Sequence, residues 1–319
     1  MPFWTNLLGK HTDWVFLPQV EMDFNFHTKD IKMKKTLLAI ALMAGMAGVS
    51  AKTVVTVNGT KIDSAMIDRQ VSDLNKQSKG QIKDSPELRE RLKQNAIVHT
   101  VIVQEAKKRK LDDSAEYKDF IKRTKDEADK RGESKKASFK QDFEDFKENL
   151  LEQAFAADVL KKNPVTEQDV RKEYNQINDF YKGSQEVQIA EIVTKTKADA
   201  EKVLAELKKG KKFADVAKAH TVDEVGKKNG GMHQGYINLK DMEVGAPPLH
   251  AAIKDLKKGD FTKEPMQGSN NVWAIFSVQD KRTAKVPTFE QMKEALTAQL
   301  EGQRVDQAVA DLLKKASIK

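Results

Sequence analysis

The run Glu186-Val187-Gln188-Ile189-Ala190-Glu191-Ile192-Val193 opens the stretch whose reading decides the fold. Val187 and Ile189 alternate with polar neighbours and Ile192 follows loosely, the period of a half-buried strand. Two helical segments follow, Ala200-Glu201-Lys202-Val203-Leu204-Ala205-Glu206-Leu207 and Phe213-Ala214-Asp215-Val216-Ala217-Lys218, separated by Gly210. Asn229-Gly230-Gly231 reads as a loop, and Pro247-Pro248 as a turn leading into a short helix. Val272-Trp273-Ala274-Ile275-Phe276-Ser277-Val278 is a closing strand. The order is β-α-α-loop-α-β-β, an α+β unit over residues 185–283.

Outside this stretch the periods are helical. Thr53-Val54-Val55-Thr56-Val57-Asn58-Gly59-Thr60-Lys61-Ile62 reads as a hairpin, because both central residues of an Asn-Gly turn must take positive φ. Ser64 offers an N-cap for a helix with Ile67, Val71 and Leu74 inside. Ser85-Pro86-Glu87 starts another, in which Leu88, Leu92, Ala96, His99, Val103 and Ala106 share a face. His99 on that stripe reads as a satisfied interior histidine, since the sequence places no second ligand beside it. A third helix turns Tyr117, Phe120, Ile121 and Thr124 inward, then fades into a charged, solvated or frayed segment at 126–136. Phe139, Phe143, Phe146, Leu150, Ala154 and Ala157 mark a fourth. Its aromatic row fits core packing or a groove for unfolded chains. After Asn163-Pro164, Thr166-Glu167-Gln168-Asp169 restarts a helix that carries Val170, Tyr174 and Ile177. At the far end, Thr288-Phe289-Glu290-Gln291 caps a helix of nearly thirty residues, with Met292, Leu296, Leu300, Val305, Ala308, Leu312 and Leu313 on one side. An amphipathic helix this long needs a partner for its apolar face. The N-terminal helices (52–184) are the expected partner, which makes 284–319 the end of a discontinuous domain with the α+β unit inserted.

With 319 residues, 33% of them charged, and a formal net charge of +8, the chain reads as soluble and multidomain. Its basic residues interleave with acids along helical faces and form no stripe, so nucleic acid is not an expected partner. There are no cysteines, which excludes disulfides, thiol nucleophiles, Cys-based zinc sites and N-terminal lipidation. No phosphate loop, metal cluster or Ser-His-Asp set is present, and no cofactor is implied. Met33-Lys34-Lys35 followed by the apolar run from Leu37 and ending Val49-Ser50-Ala51 has the form of a cleaved signal peptide. The apolar run is below the roughly 18 residues of a spanning helix, so stable membrane insertion is not expected. Residues 1–32 then read as an upstream leader with no folded role. The mature chain would begin at Lys52 and be periplasmic in a Gram-negative cell.

The 185–283 stretch resembles the parvulin family of peptidyl-prolyl isomerases. Phe213-Ala214-Asp215-Val216-Ala217 is similar to the family's second helix, Thr221 stands where the family usually has Ser, and Asp223 stands at its active-site Asp or Cys. Gly230-Gly231 matches its Gly-Gly pair, Met242 its pocket Met, Leu249 its pocket Phe, Lys258-Gly259-Asp260-Phe261 its turn, and Asp280-Lys281-Arg282 its closing tripeptide. The departures fall where chemistry would be. Glu191 and Ala274 replace two interior histidines, Gly231-Met232-His233-Gln234-Gly235 replaces Gly-Asp-Leu-Gly, and an insertion surrounds Gly245-Ala246-Pro247-Pro248. His220 and His233 read as solvated loop histidines. The whole layout is similar to SurA-like chaperones and PrsA-like foldases, whose opening phrase Val55–Gly59 shares.

The resemblance implies an FKBP-like α+β parvulin domain within a helical chaperone-like domain completed by the C-terminal helix. It implies Asp223, Thr221 and Glu191 as catalytic candidates and Met242, Leu249 and Phe276 as the substrate-binding set. The implied activity is isomerisation of prolyl bonds in exported polypeptides, outer-membrane proteins among them. The alternative is a parvulin-fold chaperone that holds unfolded chains without catalysis. Unfolded or proline-containing exported polypeptides are the implied partners; a homodimer is left open.

Overall fold

The computed structural model describes residues 52–268 and 271–319. The leader and signal-peptide expectations for residues 1–51 lie outside the described residues. The described chain divides into two units, one of residues 175–288 and one formed by 52–174 together with 289–319.

The discontinuous unit begins with the hairpin β1 (Thr53–Val57) and β2 (Thr60–Asp63), turned by Asn58 and Gly59, both at positive φ. Helices α1 (Ser64–Gln77), α2 (Pro86–Lys108), α3 (Ala115–Lys130), α4 (Phe139–Lys162) and α5 (Glu167–Tyr181) follow, the last of which crosses the division between units. The cap of α1 is Asp63, whose carboxylate accepts from the Met66 N–H, so Ser64 is the first helical residue and not the expected cap. Ser85 caps α2 as its Ser-Pro-Glu start implies. Residues 126–130, expected as a solvated or frayed segment, are helical. Lys122–Asp126, Lys125–Asp129 and Arg131–Glu127 are pairs four apart that support the last turns, and Ala128 there is buried.

On α4 the buried residues are Leu151, Phe155 and Val159, not the expected row. Phe139, Phe143 and Phe146 are only half-buried and stack on one another, with Phe120 of α3 stacked on Phe146. Two apolar rows recur at helical spacing on this helix, and the Leu151–Phe155–Val159 row took the centre of the core.

The long helix α11 (Phe289–Lys315) lays Val305, Ala308, Val309, Leu312 and Leu313 against the core built by α1, α2 and α4. Beyond it Ile318 forms an antiparallel bridge to Val57, and Thr56 and Lys319 exchange backbone hydrogen bonds of 2.8 and 3.0 Å, which pins the tail to β1. Arg304 of α11 donates to the Asn163 carbonyl (2.7 Å) and pairs with Asp169 (2.7 Å). Asp169 in turn accepts from the Thr166 N–H while Thr166 accepts from the Asp169 N–H, a reciprocal cap at the start of α5.

The 175–288 unit is an antiparallel four-stranded sheet ordered β4-β3-β6-β5, made of β3 (Gln185–Thr194), β4 (Ile237–Asn238), β5 (Met266–Gln267) and β6 (Trp273–Thr283). Between β3 and β4 come α6 (Lys197–Lys208), α7 (Phe213–His220) and the six-residue α8 (Glu224–Asn229). Helices α9 (Leu239–Gly245) and α10 (Pro247–Ile253) fill the space between β4 and β5, with the Pro-Pro pair opening α10. β3 is not half-buried as its alternation suggests: every residue from Ile189 to Thr194 is buried. One face holds Val187, Ile189 and Phe276 against α9 and α10, and the other holds Ile192 and Ile275 against α6 and α7. The covering layers come from segments far along the chain, which a local period does not register.

Candidate active site

The site is built where two loops cross the middle of β3. The α7–α8 loop meets it at Val193, whose carbonyl accepts from the Val222 N–H at 2.8 Å and whose N–H donates to the Thr221 hydroxyl at 3.1 Å. Thr221 is 2% exposed, and its hydroxyl also takes the Asp223 N–H at 3.4 Å. Asp223 caps α8, its carboxylate accepting the Gly226 N–H at 2.6 Å. Thr221 and Asp223 are thus tied to each other and to the sheet, and each has a structural role of its own.

Two residues along β3, the α8–β4 loop crosses at Glu191. The Glu191 N–H donates to the Gly231 carbonyl at 2.9 Å, and the His233 N–H to the Ile189 carbonyl at 3.0 Å. Gly230 and Gly231 both have positive φ, +71° and +78°. A Cβ on Gly231 would lie 2.2 Å from the Glu191 carbonyl oxygen, so only glycine lets this loop approach the strand. Gly231 also neighbours Gly226, whose own added Cβ would meet Asp223 and Thr221 at 3.1 and 3.3 Å. The two loops and β3 are one continuous structure.

Inside it, the Glu191 side chain is 8% exposed and its Oε1 lies 3.4 Å from His233 Nε2. His233 is therefore not the solvated loop histidine its charged neighbours suggest. Its loop is pinned to β3 by backbone hydrogen bonds, which turns the imidazole inward to a carboxyl group 42 residues earlier in the chain. His220 is also engaged, with Nε2 3.1 Å from Glu206 of α6. Glu191 lies directly opposite Phe276 in the β3–β6 register, which puts both on one sheet face. Ala274, at the second replaced histidine, is completely buried and pairs with Val193.

Met242, Leu249 and Phe276 meet as one cluster with Ile189 and Ala246, and their exposures are 2%, 4% and 1%. They form a sealed apolar floor beneath Glu191. The exposed apolar residues lie elsewhere, at Val222 and Val225 beside Asp223 and at Val244 on α9. The 245–248 segment joins α9 to α10, with Ala246 buried in the same cluster.

Residues 165–294 match the family model of the PPIC-type PPIase domain. That stretch of the chain is a parvulin-type domain. The parvulin domain comprises the sheet unit with the helix leading into it, and relatives extend the likeness beyond it. A Bordetella pertussis protein described as a probable parvulin-type peptidyl-prolyl cis-trans isomerase is 28% identical over 287 residues, spanning 90% of this chain and all of the relative. A Rickettsia conorii parvulin-like PPIase is 24% identical over 294 residues, covering 90% of this chain and 95% of its own. Among solved structures, the peptidylprolyl isomerase PrsA of Bacillus cereus is 21% identical, covers 84% of this chain and 93% of its own, and superposes with a TM-score of 0.38.

Proposed function

We propose that the protein is a periplasmic foldase that isomerises prolyl peptide bonds in exported polypeptides. The observation that carries this reading is the Glu191–His233 contact on β3, with Glu191 opposite Phe276 of the buried cluster and with Thr221 and Asp223 tied to the strand two residues on, at Val193. Rotation about a peptide C–N bond faces a barrier of about 18–20 kcal/mol from its partial double-bond character. Crossing it needs no nucleophile and no net proton transfer, only tighter binding of the twisted amide than of either planar form. An apolar site that desolvates the carbonyl, with a polar group beside it, supplies that preference. Asp223 is the polar partner in this reading, with Thr221 holding the Asp223 backbone; Met242, Leu249 and Phe276, expected from the sequence to meet substrate, are sealed in the core and back the site from inside, because α9 and α10 cover them. Glu191 adds a buried carboxyl where the family has an imidazole.

A second activity is favoured by one observation in the helical unit. Phe120, Phe139, Phe143 and Phe146 form a half-exposed stacked row, and Phe120 alone is 37% exposed. Such a row suits transient binding of apolar segments in unfolded clients, which in this reading include outer-membrane proteins. Export rests on the 33–51 signal-peptide pattern, and N-terminal sequencing of the secreted chain should begin at Lys52. A protease-coupled prolyl assay tests the catalytic half, with turnover above background expected and background alone sinking it. Suppression of client aggregation should weaken when Phe139, Phe143 and Phe146 are changed together to Ser; full suppression by that variant would remove the holding role.

A further inference from the structure

Among the described residues, two buried side-chain oxygens lack a hydrogen-bond partner, Gln70 Oε1 and Glu191 Oε2. The second belongs to a side chain 8% exposed in the middle of the candidate site. His233 Nε2 lies 3.4 Å from the other oxygen, Oε1. A carboxyl group taken out of water with one oxygen unsatisfied is unfavourable, and an apolar residue would pack that position without the penalty. Its neighbours on the sheet, Phe276 opposite and Ile189 two residues before, are apolar.

We propose that Glu191 is a specificity-determining residue that reserves this oxygen for a hydrogen-bond donor on the residue adjoining proline in a bound peptide. Proline has no N–H, so the donor must come from a neighbour. A neighbour with an amide or ammonium side chain can donate to Glu191 Oε2. A neighbour with a carboxylate would oppose lone pairs to lone pairs inside an apolar floor, where such opposition is not screened. His233, at 16% side-chain exposure against 8% for Glu191, is the more exposed of the pair. The substrate class is therefore X-Pro segments in which X is Gln, Asn, Lys or Arg, with acidic X rejected. This inference rests on the reading of the site as one that takes proline peptides, but it does not require turnover.

The test is calorimetric titration of the whole protein with three peptides that differ only before the proline, bearing Gln, Lys or Glu. Gln and Glu are nearly isosteric and differ in donor against acceptor. The Gln and Lys peptides should bind at least about ten-fold more tightly than the Glu peptide, the worth of one charge-assisted hydrogen bond. Glu191→Gln, which offers both donor and acceptor, should bring the three within about two-fold. Equal binding of Gln and Glu peptides by the wild-type protein overturns the proposal, whether or not the variant folds. So does an undiminished contrast in Glu191→Gln, or binding of none of the three. A retained contrast with no prolyl turnover supports this inference and removes the isomerase reading, so the two fail separately.

Discussion

Raising the pH should loosen the helical unit through one residue. His99 of α2 sits between two carboxylates of α4, with Nδ1 2.8 Å from Glu152 and Nε2 3.1 Å from Glu148. Hydrogen bonding to Glu148 and then Glu152 raises its pKa from 6.5 to about 9, against the opposing effect of burial. The same contact holds the Glu148 pKa below its ordinary value. A pKa raised on folding means the folded state binds the proton more tightly than the unfolded chain does. The clamp's contribution is then complete below pH 6.5 and is lost as the pH rises through about 9. An interval of that size corresponds to about 3 kcal/mol. The imidazole side chain is 24% exposed and both carboxylates about a third exposed, so solvent screening reduces the expected contribution to about 1–2 kcal/mol. His99→Gln keeps the volume and one donor but cannot titrate. In urea unfolding, the stability gap between wild type and His99→Gln should be about 1–2 kcal/mol wider at pH 6 than at pH 10. NMR titration of the His99 ring should give a midpoint near 9. An equal gap at both pH values, or a midpoint near 6.5, refutes the reasoning.

Three further outcomes follow from the geometry. Gly231→Ala should lower stability by about 2 kcal/mol or more, since it adds left-handed strain to a 2.2 Å approach to the Glu191 carbonyl; an unchanged melting temperature would contradict that. Phe155→Ala, at 1% exposure in the helical core, should cost about 3–5 kcal/mol in denaturant unfolding, and a loss below 1 kcal/mol would mean the site collapses around the gap. Asp223→Asn should keep the α8 cap and its stability, whereas Asp223→Ala should cost about 1 kcal/mol. Both should lose prolyl turnover, and full activity in Asp223→Asn would show that the carboxylate is not the polar partner.

What the sequence made legible was mostly local. The Asn58-Gly59 turn, the Ser85-Pro86 start, the Thr166–Asp169 cap and the Gly230-Gly231 pair each encode their geometry within four residues. The parvulin frame was readable because such short phrases recur in a fixed order. The partners of His99 were not, because Glu148 and Glu152 lie 49 and 53 residues away and arrive only when α4 packs on α2. The Glu191–His233 contact was hidden for the same reason: loop composition suggests solvent, and the pinning of that loop to β3 is a tertiary event. On α4 the period fixed the helix but not its face, since Phe139–Phe143–Phe146 and Leu151–Phe155–Val159 compete and packing with α2 decides. Neither could the residue types announce that Met242, Leu249 and Phe276 would be sealed to within a few per cent of full burial.

In the proposed function the parvulin domain turns prolyl bonds with Glu191 and Ala274 where its family carries histidines. Exchange NMR on a proline peptide with Gln before the proline, with and without the protein, measures this directly. Cis–trans exchange should be far faster than the uncatalysed tens to hundreds of seconds, and should be lost in Asp223→Asn. Exchange at the uncatalysed rate, in protein that binds the peptide, would contradict it and leave a parvulin fold that only holds its clients.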